Sequence, residues 1–317
     1  MDRNLALEVV RVTEAAALAC ARVMGRGDDA AADVAGIEAM HKAFGAISVR
    51  GAVVIGEGDE DEVPLLFDGE HLGTGNGPKI EIALDALEGS TICATGGYNA
   101  LSIIAVSEPG GLLRVPAVYM DKIATGPEGR GLVDLDRPAV ENLRVLAEAK
   151  GVYLEDLTVA VLDRPRHGGL IEEVRRAGAR VKLLSDGDVA AALATTKPDA
   201  GIDILLGSGG APQGVIGAAA LKCLGGEMQG RLQPRHERDR RVLRERGFEN
   251  LKKRYPLEEL APGNVMFAAT GVTAGDYLRG VRFFKGGAAT NSVVMRSSTQ
   301  TVRFIEGIHR FDFRPKY

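Results

Sequence analysis

Tryptophan is absent from this chain of 317 residues, and aromatic residues together make up only 5% of it. A core built without large rings must be filled by Val, Ile, Leu and Ala, and a hydrophobic content of 45% supplies enough of them for a globular fold. Cysteine is scarce as well: Cys20, Cys93 and Cys223 lie far apart and form no CxxC pair. That excludes a disulfide framework and a zinc knuckle, and it suits a reducing compartment. No apolar run approaches the ~18 residues that a membrane-spanning helix needs. Met1 is followed by Asp2-Arg3 and an amphipathic stretch rather than by the apolar stretch of a signal peptide, so a cytoplasmic location is expected. With a net charge of -4 there is no reason to expect nucleic acid or an anionic membrane as the main partner. Internal repeats and low-complexity linkers are also missing.

What is present is an alternation of periodic segments. Apolar and small residues recur at helical spacing from Leu5 to Met24, and Gly25 stands where a helix can end. Asp28 or Asp29 can cap a second helix reaching about Phe44, with Asp33 one turn in. β-rich runs follow at Ala52-Ile55, Ile80-Leu84, Leu101-Val106 and Val115-Met120. Beyond Pro138 a helix to about Ala149 precedes strand Thr158-Leu162, helix Leu170-Ala177 and strand Val181-Leu184. Then come a short helix Val189-Ala194, strand Ile202-Leu206 and helix Val215-Leu224. Such alternation implies a parallel sheet covered on both faces, with ligands gathered beyond the carboxyl ends of its strands, where Asp163, Asp186 and Ser208 are expected. Strands near Val265-Ala269, Val293-Arg296 and Thr301-Ile305 close an α/β fold of mixed sheet content. The chain divides into residues 1-150, helices on a sheet, and 151-317, the alternating half.

Charged residues concentrate at the ends of these runs. Val53-Val54-Ile55 leads directly into Gly56-Glu57-Gly58-Asp59-Glu60-Asp61-Glu62. Gathered carboxylates either form a solvated acidic loop or bind cations, and spacing alone leaves both open. Asp85 ends another β-rich run with Glu88 and the small Gly89-Ser90 behind it, an arrangement that suits hard divalent cations, which take several oxygen ligands. Arg164 and Arg166 flank Pro165 at a strand end, where two guanidinium groups on a stiff turn favour anion binding over a loop salt bridge. Asp186 and Asp188 in Asp186-Gly187-Asp188 read either as a turn or as acceptors for sugar hydroxyls. The run from Arg235 to Arg241, continuing to Lys252-Lys253-Arg254, mixes both signs and reads as a solvated helix. Gly73-Thr74-Gly75-Asn76-Gly77 precedes a strand and reads as a hairpin turn. Of the histidines, His167 alone is expected near a site.

Seven motifs in one order carry a resemblance along essentially the whole chain: Gly25-Arg26-Gly27-Asp28, Val54 to Gly58, Asp85 to Ser90, Tyr119-Met120-Asp121-Lys122, Arg164 to His167, Asp186 to Val189, and Gly209-Gly210-Ala211-Pro212. The chain resembles the class II fructose-1,6-bisphosphatases of the lithium-sensitive phosphatase superfamily. The resemblance implies a layered sugar-phosphatase fold, with mixed sheets sandwiched by helices, a metal-binding half at 1-150 and a sugar-phosphate-binding half at 151-317. It implies hydrolysis of the 1-phosphate of fructose 1,6-bisphosphate, and next of sedoheptulose 1,7-bisphosphate, in gluconeogenesis or Calvin-type metabolism, by a homo-oligomer using magnesium or manganese. Asp33 and Glu57 would hold one ion, and Asp85, Glu88 and Gln213 another. Glu88-Gly89-Ser90 would sit against the scissile phosphate, while Asp61 and Ser90 would orient or deprotonate the attacking water beside Glu57. Tyr119, Arg164, Pro165, Arg166, Asp186, Gly187, Asp188 and Gly210 would hold the sugar phosphate.

Five positions depart from the family pattern. Ala86 stands where Pro is usual, and Ser90 where Thr is usual. Gln213 replaces a Glu, exchanging a carboxylate ligand for a neutral carbonyl oxygen, and Asp29-Ala30 replaces Lys-Asn, reversing a charge near Asp33. These departures raise two alternatives: a phosphatase of another sugar or inositol phosphate, and a weakly active paralogue that binds sugar phosphates.

Overall fold

The computed structural model describes residues 5–58 and 64–313. The chain forms two compact units that do not follow a single cut of the sequence. One comprises Met1–Val106, Met266–Arg296 and Thr301–Tyr317; the other comprises Ser107–Val265 and Ser297–Gln300. The last strands of the chain therefore return to the unit in which it begins.

In the first unit, helix α1 (Leu5–Val23) ends two residues before Gly25, which takes the left-handed φ of 73°. Helix α2 (Asp29–Phe44) starts at Asp28, whose carboxylate accepts from Ala31 N–H at 2.9 Å and satisfies one of the free amides of the first turn. Strands β1 (Arg50–Ile55), β2 (His71–Leu72) and β3 (Lys79–Glu88) follow, then helix α3 (Ser90–Thr95) and β4 (Leu101–Ser107). The glycine-rich stretch 73–77 does not close a hairpin, because β2 and β3 lie on opposite sides of β1. It crosses the end of β1, with Thr74 N–H donating to Ile47 O and Gly75 N–H to Val49 O.

The second unit opens with β5 (Tyr119–Thr125), later than the run at Val115-Met120 suggested. Pro116 lacks the N–H a ladder needs, and pairing with the neighbouring strands begins only at Tyr119. There follow α4 (Ala139–Lys150), β6 (Thr158–Leu162), α5 (Gly168–Arg176), β7 (Arg180–Leu184), α6 (Val189–Ala194), β8 (Ile204–Gly210) and α7 (Ala211–Leu224). Then come β9 (Glu227–Gln233), α8 (Glu237–Glu245), β10 (Tyr255–Pro256) and α9 (Leu257–Leu260). The chain returns to the first unit through β11 (Val265–Gly271), β12 (Arg282–Phe284), β13 (Gly287–Arg296) and β14 (Thr301–Arg310).

Both sheets are mixed. The first runs β12-β13-β11-β4-β3-β1-β2, with β14 also on β13; β1 and β3 are parallel, while β11, β12 and β14 pair antiparallel with β13. Its core gathers Val9, Val12, Met40, Phe44, Ile82, Leu84, Met266 and Val294 from both helices and the strands. The second runs β10-β9-β5-β8-β6-β7, in which β6 is parallel to β7 and β8 while β5 is antiparallel to β8 and β9. Side chains alternate along β5: Ile123 joins Leu143, Leu146 and Val174 in the core of the α4/α5 face, whereas Met120 and Lys122 meet Gly214 of α7 on the other. Helix α7 is apolar nearly all round because it is buried nearly all round. No described helix is long and apolar enough to cross a membrane.

Candidate active site

Strand register sets the acidic centre of the first unit. β1 and β3 run parallel with Ile55 opposite Ala83, so the chain leaving β1 brings Glu57 level with Asp85 two residues further on. Glu57 Oε1 accepts from Ala86 N–H at 2.6 Å. Asp33 comes from the first turns of α2. Its approach depends on Gly36, three residues on, since a Cβ there would lie 2.8 Å from Cys20 Sγ and 3.3 Å from Ala86 O. The small residues Gly36 and Ala86 let helix and strand close together.

The electrostatics record this gathering. Burial first, then the charge of Asp85, pushes the Glu57 pKa up to about 8, with Asp33 adding to the rise and the Ala86 N–H opposing it. Burial and the same Asp33 charge push the Cys93 thiol up to about 11. Cys20 moves upward too, through burial first, then Cys93, Asp33 and Glu57. Both thiols are buried, uncharged and unsuited to nucleophilic work. A carboxylate that binds its proton this tightly beside two others is a set of hard oxygen donors in need of positive charge, and a divalent cation fits it. Among the described residues, no group of three or more His, Cys, Asp or Glu side chains is arranged to hold an ion. The carboxylates are gathered without being closed around one point.

Glu88 is buried at the end of β3, and Gly89 turns the chain with a φ of 90° so that Ser90 begins α3. Asp61 lies outside the described residues. Gln213 is carried by the second unit, in the first turn of α7. Asp29 sits in the first turn of α2, where its negative charge suits the helix N-terminus, and its Oδ1 accepts from Ala30 N–H.

In the second unit the turn after β6 carries the basic residues. Arg166 donates to Ser208 O through Nε at 3.1 Å and through one Nη at 2.6 Å, and its guanidinium lies over the Tyr119 ring, 5.0 Å from the centroid. Pro165 begins the short 3-10 turn between the two arginines. Arg164 donates to Asp163 O and Ser185 O and stands 3.6 Å from Asp186, so it adopts the loop ion pair as well as an exposed position. His167 is buried and both its ring nitrogens are used: Nδ1–H donates to Leu162 O at 2.7 Å, and Nε2 accepts from Ser208 N–H at 2.8 Å. It ties the turn to β8 as a neutral imidazole, its pKa lowered mainly by burial. Ser208 itself lies within β8 rather than at its end.

Asp188, beyond Gly187 in the turn after β7, forms a buried ion pair with Lys122 at 2.6 Å. Gly209 makes room for that pair, because a Cβ there would collide with Asp188 Oδ2. Gly210, opposite Tyr119 in the ladder, is the N-cap of α7. The pairing role of Lys122 escaped the sequence reading, although a lysine at a buried alternate of β5 was its signal. Arg235 escaped it too. The basic run does not form one solvated helix: α8 covers only Glu237–Glu245, and Arg235 precedes it, its guanidinium 3.3 Å from the Tyr119 centroid. Farther on, Lys253 pairs with Glu259, and Arg254 with Asp134.

A layered α/β fold with carboxylates gathered at a strand end in one unit and guanidinium groups converging in the other has the equipment of a protein that handles phosphorylated small molecules. Residues 3–309 match the family described as bacterial fructose-1,6-bisphosphatase, glpX-encoded. The chain is 46% identical to "D-fructose 1,6-bisphosphatase class 2/sedoheptulose 1,7-bisphosphatase" of two Synechococcus strains, over 98% of this chain and 97% of each relative. It is 43% identical to the protein of the same description from Microcystis aeruginosa, over 100% of this chain and 99% of that one. The chain belongs to the glpX-type bacterial fructose-1,6-bisphosphatase family.

Proposed function

We propose that this protein hydrolyses the 1-phosphate of fructose 1,6-bisphosphate, and that of sedoheptulose 1,7-bisphosphate, with magnesium or manganese as the activating ion. The observation that carries this reading is the Glu57 carboxylate, held beside Asp85 and Asp33 with its pKa pushed up to about 8. Family membership and the names of the relatives supply the substrate.

In this reading Asp33, Glu57, Asp85, Glu88 and Gln213 hold the divalent ions, with Asp33 and Glu57 on one and the other three on the second. When bound, such ions neutralise phosphate charge and lower the pKa of water. Glu57 keeps its orientation through the Ala86 N–H. Ser90 and Asp61 align the attacking water, and Glu88-Gly89-Ser90 lie along the scissile phosphate. Arg164, Pro165 and Arg166 form the turn that grips the other phosphate, with Tyr119 as its platform. Asp186, Gly187, Asp188 and Gly210 border the sugar. The protein is read as a cytoplasmic homo-oligomer without a nucleic-acid or membrane partner; light scattering of the purified chain tests the oligomeric part of this expectation.

The deciding experiment is phosphate release from both bisphosphates and from an inositol phosphate, with magnesium, with manganese and with chelator. Release from the ketose bisphosphates that depends on the ion and is lost in Glu57→Ala and Asp85→Ala is the expected result. Activity no greater than in those variants would overturn the reading, and preference for the inositol phosphate would replace its substrate.

A further inference from the structure

The second unit contains a cavity of about 480 Å³ lined by Arg166, Ser208 and Arg235 among others. Arg166 and Arg235 both lie over the ring of Tyr119, at 5.0 and 3.3 Å from its centroid. Among the described residues, no carboxylate is within ion-pair distance of either guanidinium. Of the other charged groups lining the cavity, Arg231 is taken by Asp136, Lys122 by Asp188, Arg137 donates to Leu132 O, Asp121 accepts from Gln233, and Glu173 accepts from Val140 N–H. Arg166 has its hold on its proton weakened by burial first and then by the charge of Arg235. Two like charges converging on one ring repel each other, and an anion between them relieves that repulsion.

Two further observations point to a ligand. Ser208 Oγ is buried within the lining of the same cavity and has no hydrogen-bond partner among the described residues. A buried hydroxyl left unmatched is costly unless something polar arrives. Arg235 is also held from behind: Asp239 Oδ2 accepts from Arg235 N–H at 2.8 Å and from His236 N–H at 3.2 Å, so the backbone is anchored while the side chain reaches forward.

We propose that Arg235 is a specificity-determining residue that grips the non-reacting phosphate together with Arg166 on the Tyr119 platform, and so selects ketose bisphosphates over monophosphates. This rests on the reading in which Arg166 binds that phosphate. A planar guanidinium can stack on the ring and still direct parallel N–H groups at phosphate oxygens, which an ammonium cannot do.

The test compares Arg235→Ala, Arg235→Lys and Arg166→Ala with the parent on fructose 1,6-bisphosphate and on fructose 1-phosphate, which lacks the second phosphate. Removing a charge-assisted contact to phosphate is expected to raise KM for the bisphosphate by roughly 10- to 100-fold in Arg235→Ala, with kcat within about threefold. Arg235→Lys should recover only part of the loss, and kcat/KM for fructose 1-phosphate should not change. Binding of the product fructose 6-phosphate, measured by calorimetry, should weaken in parallel. An unchanged KM in Arg235→Ala alongside a raised KM in Arg166→Ala would overturn the role of Arg235 and leave the underlying reading intact. Unchanged KM in both would overturn that reading as well. An equal loss on fructose 1-phosphate would mean that Arg235 supports the fold and not the second phosphate.

Discussion

The backbone N–H of Ala86 donates to Oε1 of Glu57 at 2.6 Å, at the position where the family resemblance implies proline. An alanine there gives up the fixed φ of a proline. In the fold, the alanine supplies a hydrogen-bond donor that proline does not have. Among the described residues, this bond is the one influence that lowers the Glu57 pKa against burial and two neighbouring carboxylates. The expected outcome of Ala86→Pro is therefore a folded protein whose Glu57 ionises less readily. The acidic limb of its kcat/KM profile, at fixed metal, should move to higher pH by about one unit, the scale of one charge-assisted bond. An unmoved limb would show that this bond does not set the ionisation of Glu57.

Stability without metal should carry the same signature. The Glu57 carboxyl has its pKa raised from 4.5 to about 8 in the folded chain. A raised carboxyl favours folding while protonated, so its contribution is fully present below about pH 4.5 and is lost as pH rises towards 8. With chelator present, melting temperature should fall across that window. Glu57→Gln should flatten the fall, and magnesium or manganese should restore the parent at pH 8. A parent and a variant that decline in parallel would contradict the assignment.

Lys122 and Asp188 form a pair almost wholly removed from water. Removing one partner strands the other charge, which costs roughly 3–5 kcal/mol, whereas replacing both with apolar groups of similar size is often nearly neutral. Denaturant unfolding of Lys122→Met should therefore give a large loss, and the double variant Lys122→Met with Asp188→Leu should recover most of it. If the double variant is as unstable as the single one, the pair is not the reason for the loss.

His167 gives the opposite pH dependence to Glu57. Its pKa is lowered from 6.5, chiefly by burial, and its Nε2 must stay unprotonated to accept from Ser208 N–H. Its contribution is present above pH 6.5 and is lost as pH falls through the folded pKa. His167→Phe leaves two backbone groups unmatched and is expected to cost about 2–4 kcal/mol at pH 7.5. Urea unfolding should also show a smaller acid loss between pH 7.5 and 5.5 than in the parent. The same acid loss in both proteins would exclude His167 as its source.

Gln213 is the neutral member of the proposed donor set. If its side chain is a ligand, Gln213→Glu adds a full negative charge to the donor set and should tighten metal binding roughly 10-fold or more, with little change in KM for the bisphosphate. Titration of apo protein with manganese measures this. An unchanged affinity would remove residue 213 from the ligand set, and a turnover rising from near zero would favour the weakly active reading of the native chain.

The periodic elements and the order of the charged motifs were legible from the residues alone. Strand Thr158–Leu162 and helix Val189–Ala194 have the bounds that their apolar spacing implies, and Asp28 caps α2 as a short carboxylate should. These features are local: hydrophobic period, capping chemistry and turn residues act within a few positions. What local pattern could not state is which residues far apart in the chain share one place. Residues 29 apart meet in the bond between Ala86 and Glu57, and the parallel register of β1 on β3 decides it. Lys122 finds Asp188 only through the packing of the second sheet and its turns. Arg235 stays exposed, as its charge implies, but lies before the helix rather than in it, because β9 pairs with β5 and brings its guanidinium over Tyr119. By itself the sequence determined the fold class, the helices and strands and the chemical types available. The tertiary structure alone decided which charges are paired and which converge, because burial and long-range register set the cost of each charge, and neither is a property of neighbouring residues.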